Sequence, residues 1–168
     1  MTLKLVVNFS KRTDDRLIDL MHSNGATIAR ISIGIVFIWF GLLKALGTSP
    51  VAVLVEQLFP WAPSSISVPA IGIFEVALGV AFVTGFALRI TLALFWVHMA
   101  GTFLVPVMRP DLAFQGGNPF YLTTIGEFVV KNLVLISAGI VVGGTVRAGR
   151  ETLNRGRPSR GANSKTPI

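Results

Sequence analysis

Residues 67–86, SVPAIGIFEVALGVAFVTGF, are a run of mostly apolar residues in which Glu75 is the one ionisable side chain. A helix needs about 20 such residues to cross the hydrocarbon core of a bilayer. The run shows no alternation of polar and apolar residues, as a strand of a membrane barrel would, and a helix satisfies its own backbone hydrogen bonds in lipid. This stretch therefore predicts a transmembrane helix.

Three more windows of the chain have the same character: residues 27–46, 91–108 and 122–142. In chain order the four windows are called spans one to four. Over the whole chain of 168 residues, 52% are apolar and 14% are charged, which is too apolar for the surface of a soluble domain of this size. The sequence therefore predicts an all-α fold, a membrane four-helix bundle.

Two polar segments flank the predicted bundle of residues 27–145. Residues 1–26 are expected to form a cytoplasmic leader, in which Thr13 caps a short interfacial helix that Asn24 and Gly25 end. Residues 146–168 combine arginines with Gly, Pro, Ser and Asn, which is typical of a disordered basic tail.

The distribution of Lys and Arg predicts the orientation of the bundle. Both ends of the chain are basic. The link of residues 47–66, which we expect to be an interfacial loop, has neither Lys nor Arg, and only Arg109 departs from the pattern. Because basic flanks stay inside, both termini are expected in the cytoplasm, with the protein multi-pass in a bacterial-type inner (plasma) membrane. The basic ends lack interleaved aromatic residues, which favours membrane lipids as partners and argues against nucleic acid.

Ionisable side chains inside the spans are the candidate functional residues. Burying such a group costs about 2.5–3.5 kcal/mol on insertion scales, so it marks either function or a structural pair. Helical spacing places each of them on the face of its span that also carries small residues, and such faces pack inside bundles. The sequence thus predicts one polar cluster that is open toward the outer side of the membrane, formed by Lys44, Glu75, His98, Glu127 and Lys131.

Each candidate also has a structural interpretation. Glu127 and Lys131 are four residues apart and could neutralise each other on one helix. Lys44 could extend to the outer headgroups, and His98 could be a packing residue. Glu75 has no cation on its own helix, so the sequence predicts that it pairs across helices with Lys44.

Several kinds of chemistry have no support in the sequence. The chain has no cysteine, so it cannot form a disulfide, a thiol relay or a thiolate-bound iron–sulfur cluster by itself. It has no phosphate-binding glycine loop, and its single intramembrane histidine cannot provide both axial ligands of a haem. No metal site is expected.

Four segments together resemble a known family: RISIGIVFIWFGLLKALG (30–47), GIFEVALGVAFVTGFALR (72–89), HMAGTFLVPVMRPDLAF (98–114) and GEFVVKNLVLISAGIVV (126–142). Their order and spacing are similar to those of the DoxX-like membrane proteins. The resemblance covers about residues 27–145 and leaves out the leader and the tail.

The resemblance implies a small four-helix integral membrane protein. Some members of the family are linked to quinone-coupled oxidation of sulfur compounds, and others to membrane-bound oxidative-stress complexes. The polar positions that recur in the family correspond here to Lys44, Glu75, Glu127, Lys131 and Asn132. Because likeness at the level of fold says little about substrate, catalysis and ligand remain open.

The leading hypothesis is a membrane subunit of a quinone-linked or oxidative-stress redox system, in which the polar cluster binds a quinone headgroup or a small anion. Electrons would then come from a redox partner protein, since the sequence carries no haem, nucleotide or iron–sulfur motif. Two alternatives stay open, a small transporter or channel subunit and an assembly protein without chemistry. The sequence leaves the oligomeric state undetermined.

Overall fold

The structure, a computed structural model, describes residues 2–49, 52–58 and 61–155, with side chains described over 14–49, 53–56 and 61–146. Almost all regular structure in these ranges is helical. The α-helices, in chain order, are α1 (Thr2–Ala45), α2 (Ala52–Leu58), α3 (Ser64–Thr84), α4 (Leu88–Phe103), α5 (Val105–Met108), α6 (Pro110–Ala113) and α7 (Thr124–Arg155).

Four of the described segments are long and apolar enough to cross a membrane: Asp14–Ala45, Ser64–Thr84, Leu88–Met108 and Thr124–Val146. Each overlaps one predicted window. At about 1.5 Å per residue, even the shortest of them is about 30 Å long, the thickness of a bilayer core. The prediction of an all-α four-helix membrane bundle is therefore confirmed.

The first helix is longer than the sequence predicted, because Thr13 does not begin it and Asn24 and Gly25 do not end it. The side chain of Asn24 turns back and donates to the carbonyl O of Leu20 at 3.4 Å, so it stays within the helix. A glycine inside a helix costs only about 1 kcal/mol relative to alanine, which a helix of this length tolerates. The predicted boundary between leader and bundle thus lies within α1.

The last helix also extends beyond the predicted end of the bundle, since α7 reaches Arg155. The first ten residues of the predicted disordered tail are therefore helical. No proline occurs between residue 146 and Pro158, and the segment contains good helix formers. The remainder of the predicted tail, residues 156–168, lies outside the described residues.

Two contacts between α1 and α3 define the ends of the bundle. Arg30 meets the last turn of α3, and Lys44, near the end of α1, meets Glu75 near the middle of α3. We call these the Arg30 end and the Lys44 end. The chain crosses from the Arg30 end to the Lys44 end in α1 and α4, and it returns in α3 and α7.

Glycines allow α1 and α3 to pack in direct backbone contact. A Cβ added to Gly72 would lie 2.6 Å from the carbonyl O of Gly41, and one added to Gly79 would lie 2.6 Å from the carbonyl O of Gly34. Real Cβ atoms do not approach that closely, so only glycine fits these positions. The predicted inward orientation of the small-residue faces of spans one and two is confirmed.

The half of the bundle toward the Arg30 end is filled by aromatic packing. Phe37, Phe82 and Phe95 are buried, and their rings lie 5.5–6.5 Å from one another. Edge and tilted contacts of this kind are the favoured geometry for aromatic pairs. Since this half is closely packed, the open volume of the bundle lies toward the Lys44 end.

Arg30 closes the C-terminus of α3. Its guanidinium donates to the carbonyl O atoms of Phe82 and Val83 at 2.7 and 3.1 Å, next to Gly85, which has a left-handed backbone with φ of 73°. The carbonyl O of Phe82 also accepts a hydrogen bond from the backbone N–H of Gly85 at 3.3 Å, and the positive charge of Arg30 complements the helix dipole.

We expect Arg30→Met to lower the free energy of unfolding in detergent by about 1–3 kcal/mol, the usual range for a hydrogen bond to a charged group. Arg89→Met is the matched control, because Arg89 is an exposed arginine near the same end of the bundle. Its substitution should change stability by less than about 0.5 kcal/mol. Equal losses in the two variants would show that Arg30 does not cap α3.

Orientation in the membrane remains a prediction. Arg109, the exception to the charge pattern, donates to Asp111 at 3.0 and 2.8 Å, and these hydrogen bonds lower the pKa of Asp111. The pair therefore adds no net charge to the Lys44 end. Orientation follows the number of Lys and Arg residues rather than net charge, so the prediction rests on the excess of basic residues at the two ends of the chain.

Reporter fusions test this orientation directly. Fusions after residue 25 and after residue 150 should report the cytoplasm, because both follow basic segments at the Arg30 end. Fusions within 50–62 and 112–118 should report the outer side. A reporter after residue 150 that is active only outside the cytoplasm would contradict the predicted orientation.

Candidate functional site

The central feature of the bundle is a buried ion pair between α1 and α3. Nζ of Lys44 lies 2.5 and 2.6 Å from the two carboxylate oxygens of Glu75. Both residues are buried, at 6% and 4% exposure. The predicted pairing across helices is confirmed, and the alternative in which Lys44 extends to the headgroups is wrong.

The backbone contact between Gly41 and Gly72 explains why this pair can form. Lys44 is one turn after Gly41 on α1, and Glu75 is one turn after Gly72 on α3. The close approach of the two glycines leaves the two side chains next to each other in the core. The ion pair also gives each buried charge the partner that a low-dielectric interior requires.

His98 of α4 completes the cluster. Its Nε2 lies 3.1 Å from Oε1 of Glu75 and donates to it, while its ring packs against Phe37 and Phe74 at 5.5 and 5.9 Å. This contact fixes which ring nitrogen carries the donated proton. His98 is therefore both packed and polar, and the structure brings it to Glu75 as the sequence predicted.

Asn132 is the contribution of α7 to this region. It is buried, at 8% exposure, and lines a small cavity of about 60 Å³ together with Glu75 and His98. A buried amide beside such a cavity can donate and accept hydrogen bonds. The cluster thus consists of Lys44, Glu75 and His98, with Asn132 beside it.

The structure corrects the placement of Glu127 and Lys131. Their side chains are 55% and 74% exposed, and they pair with each other at 3.2 Å on the outer surface of α7. They are therefore not part of the cluster. The prediction that they neutralise each other on one helix is confirmed.

The physical reason for this correction is the rotation of α7. Its inward face carries Gly126, Val129, Asn132, Gly139 and Val142, all buried. Gly126 packs on Ala113 and Gly139 on Phe95. These two glycines mark the contact face, which places Glu127 and Lys131 on another side of the helix.

Gly101 of α4, unlike the glycines that join α1 and α3, does not bring two helices together. A Cβ added there would meet no atom within 4 Å. Gly101 instead lines a cavity of about 480 Å³, in which Lys44, His98 and Thr102 are the polar side chains. The other residues that line this cavity are apolar: Leu54, Val55, Ala70, Ile71, Phe74, Val97, Val105 and Phe128.

Sequence reasoning missed the contribution of α2 to this cavity. Residues 47–66 were predicted to be an interfacial loop, whereas Leu54 and Val55 lie on a helix and are each only 7% exposed. The sequence around Leu54 and Val55 is a run of apolar residues, but such a run does not show which part of the protein the segment packs against. A cavity of this volume, mostly apolar with a few polar groups at one place, has the usual character of a small-molecule site.

The electrostatics of the cluster favour a neutral ligand group. Lys44 and Glu75 cancel each other, and His98 adds no charge when its imidazole is neutral. Lys44 can still act as a hydrogen-bond donor in the large cavity, because its ammonium has three protons and Glu75 accepts two of them. The hydroxyl of Thr102 already donates to the carbonyl O of His98 at 3.2 Å. The arrangement can therefore hold an acceptor such as a carbonyl oxygen in an otherwise apolar space.

Comparison with known proteins places this site within a family. Residues 25–107 match the family model described as DoxX, a range that includes Lys44, Glu75 and His98. No curated protein and no solved structure matches the chain. The matched range covers most of the first three spans and includes the ion-paired cluster of Lys44, Glu75 and His98. Residues 25–107 of this membrane protein therefore form a DoxX domain, consistent with the DoxX-like family that its sequence resembles.

Proposed function

We propose that this protein is a membrane subunit of a redox system and that its cluster of Lys44, Glu75 and His98 binds the headgroup of a quinone. The observation that carries the proposal is the position of Lys44 and His98 in the wall of the apolar cavity of about 480 Å³. A quinone has the complementary form, with carbonyl acceptors on a neutral ring and an apolar tail.

The residues present fit such a ligand. The third proton of the Lys44 ammonium can be donated to a carbonyl oxygen, and the rings of Phe74 and Phe128 offer flat apolar surfaces beside it. A small anion fits less well, because the charge of Lys44 is already neutralised by Glu75. The ion-paired cluster therefore supports the quinone over the anion.

A bound quinone would supply the redox chemistry, accepting or releasing two electrons together with two protons. The protein's own residues would position its carbonyl and handle a proton. Nε2 of His98 donates to Oε1 of Glu75 at 3.1 Å, so a proton on the imidazole already points at the carboxylate that could receive it. The electrons would come from a partner protein, because the sequence has no motif for a second redox group.

The test is binding of decylubiquinone to the purified protein in lipid nanodiscs. His98→Leu leaves the pair of Lys44 and Glu75 in place, so the bundle should fold. It removes the imidazole from the polar side of the cavity, so quinone affinity should fall about tenfold. Lys131→Gln is the matched control, since Lys131 is an exposed ionisable group of the same bundle. Equal affinities of the wild type and His98→Leu, or no binding to the wild type, would contradict the proposal.

A further inference from the structure

We infer that the ligand of the large cavity is a long-tailed amphiphile that enters from the bilayer through a cleft between α3 and α4, with Gly101 on its rim. The inference rests on the proposed headgroup site and adds the route and the class of ligand. We call this cleft, bounded by Ala70 and Phe74 of α3 and by Val97 and Gly101 of α4, the lateral portal.

The first observation is that the cavity is covered at the Lys44 end. Leu54 and Val55 of α2 line the cavity and are buried, while Val53 and Glu56 on the same helix are exposed. α2 therefore presents its apolar side to the cavity and lies between the cavity and the Lys44 end. A water-soluble ligand that approached from that end would meet this apolar cover first.

The second observation is that the cavity wall reaches the outer surface of the bundle between α3 and α4. Val97 is 72% exposed and Phe74 is 36% exposed, although both line the cavity. Gly101 and Ala70 are also exposed. Because both helices belong to candidate membrane spans, the surface that they expose here faces lipid.

The third observation is the distribution of polarity along the cavity. Lys44 and His98 lie on the inner side, against Glu75, whereas the four residues of the lateral portal are apolar or glycine. A ligand that follows this gradient has a polar head inside and an apolar tail that leads out to the acyl chains. Each buried methylene of such a tail contributes to binding through the hydrophobic effect.

Gly101 is the position where the lateral portal can be closed without disturbing the fold. A side chain there would meet no protein atom within 4 Å of its Cβ, so its volume would go into the opening. Gly144 of α7 offers the matched control. A Cβ there likewise meets nothing within 4 Å, and Gly144 is exposed and does not line the cavity.

The route itself is tested without any ligand. The chain has no cysteine, so Val97→Cys and Gly101→Cys each provide a single attachment point for a nitroxide spin label in lipid nanodiscs. Collisions with oxygen, which concentrates in lipid, should exceed collisions with the water-soluble nickel chelate NiEDDA at both positions. A label at Asp111→Cys, an exposed position in α6, should collide more often with NiEDDA than with oxygen. A preference for NiEDDA at residues 97 and 101 would overturn the lateral portal.

The ligand class is tested with decylubiquinone and with its tailless headgroup, 2,3-dimethoxy-5-methyl-1,4-benzoquinone. Gly101→Leu should weaken binding of decylubiquinone about tenfold, the equivalent of about two displaced methylene groups, while Gly144→Leu should not. Unchanged decylubiquinone affinity in Gly101→Leu, or equal affinity of the wild type for the two quinones, would overturn the inference. Failure of both quinones to bind the wild type would instead contradict the headgroup site, and the spin-label collisions would still decide the route.

Discussion

Replacing Glu75 with glutamine is expected to lower the free energy of unfolding in detergent by about 3–5 kcal/mol, because it leaves the buried ammonium of Lys44 without its counter-charge. Lys44 is 6% exposed, and its Nζ lies within hydrogen-bond distance of both oxygens of Glu75. Water therefore cannot replace the lost partner. Thermal or denaturant unfolding of the purified variant measures this loss.

A double-mutant cycle shows whether the loss comes from the pair. Lys44→Met removes the stranded charge, so the variant with both substitutions should be more stable than Glu75→Gln alone. Glu127→Gln is the matched control, since Glu127 also pairs with a lysine but is exposed, and it should cost less than about 1 kcal/mol. Strictly additive losses for Glu75 and Lys44 would mean that the two residues do not interact.

Gly72→Leu is expected to destabilise the bundle by about 3 kcal/mol or more, at the upper end of the range for overpacked cores. Even a Cβ at this position would lie 2.6 Å from backbone atoms of Gly41 and Ala45. Backbone atoms cannot move aside as a flexible side chain can, so α1 and α3 would have to separate. That separation would also lengthen the ion pair of Lys44 and Glu75.

Gly144→Leu is the control for this substitution, because it adds the same side chain to a helix where the Cβ meets nothing within 4 Å. Its stability should differ from that of the wild type by less than about 0.5 kcal/mol. If Gly72→Leu unfolds at the same temperature as Gly144→Leu, that result would contradict the close backbone contact between α1 and α3.

The sequence predicted the essential part of the site because membrane burial limits the options of a charged group. Glu75 lies in the middle of an apolar run and has no cation on its own helix. It therefore needed a partner from another helix, and Lys131 was already matched by Glu127 one turn away. This reasoning led to Lys44, and the structure confirms the pair.

The same reasoning failed for the rotation of α7. In a soluble helix the apolar face identifies the core, but in a membrane both the core and the lipid-facing side are apolar, so composition does not distinguish them. We predicted the inward face of α7 from its polar residues Glu127 and Lys131, but both of these side chains are exposed. The contact face is in fact defined by Gly126 and Gly139.

The large cavity could not be predicted from the sequence, because it depends on packing between distant segments. Gly101 resembles the glycines of α1 and α3, yet no helix packs against it. Leu54 and Val55 cover the cavity only because α2 folds back over the bundle. Neither the open space beside Gly101 nor the packing of α2 on the cavity leaves a local pattern in the sequence.

An assembly role for the cluster makes a different prediction from a ligand-binding role. If Lys44 and Glu75 only hold α1 against α3, replacing both with Met and Gln should leave quinone binding unchanged once the fold is retained. If they belong to a headgroup site, the folded double variant should lose affinity. The quinone affinity of the folded double variant therefore separates the two roles, because the change in stability is the same in both.

The most direct measurement is mass spectrometry of the lipids and proteins that co-purify with the chain from native membranes. The account predicts a quinone bound to the wild-type protein and to Lys131→Gln, a redox protein among the partners, and less quinone on His98→Leu. A folded wild-type protein that carries neither quinone nor redox partner, or a His98→Leu variant that retains as much quinone as the wild type, would contradict it.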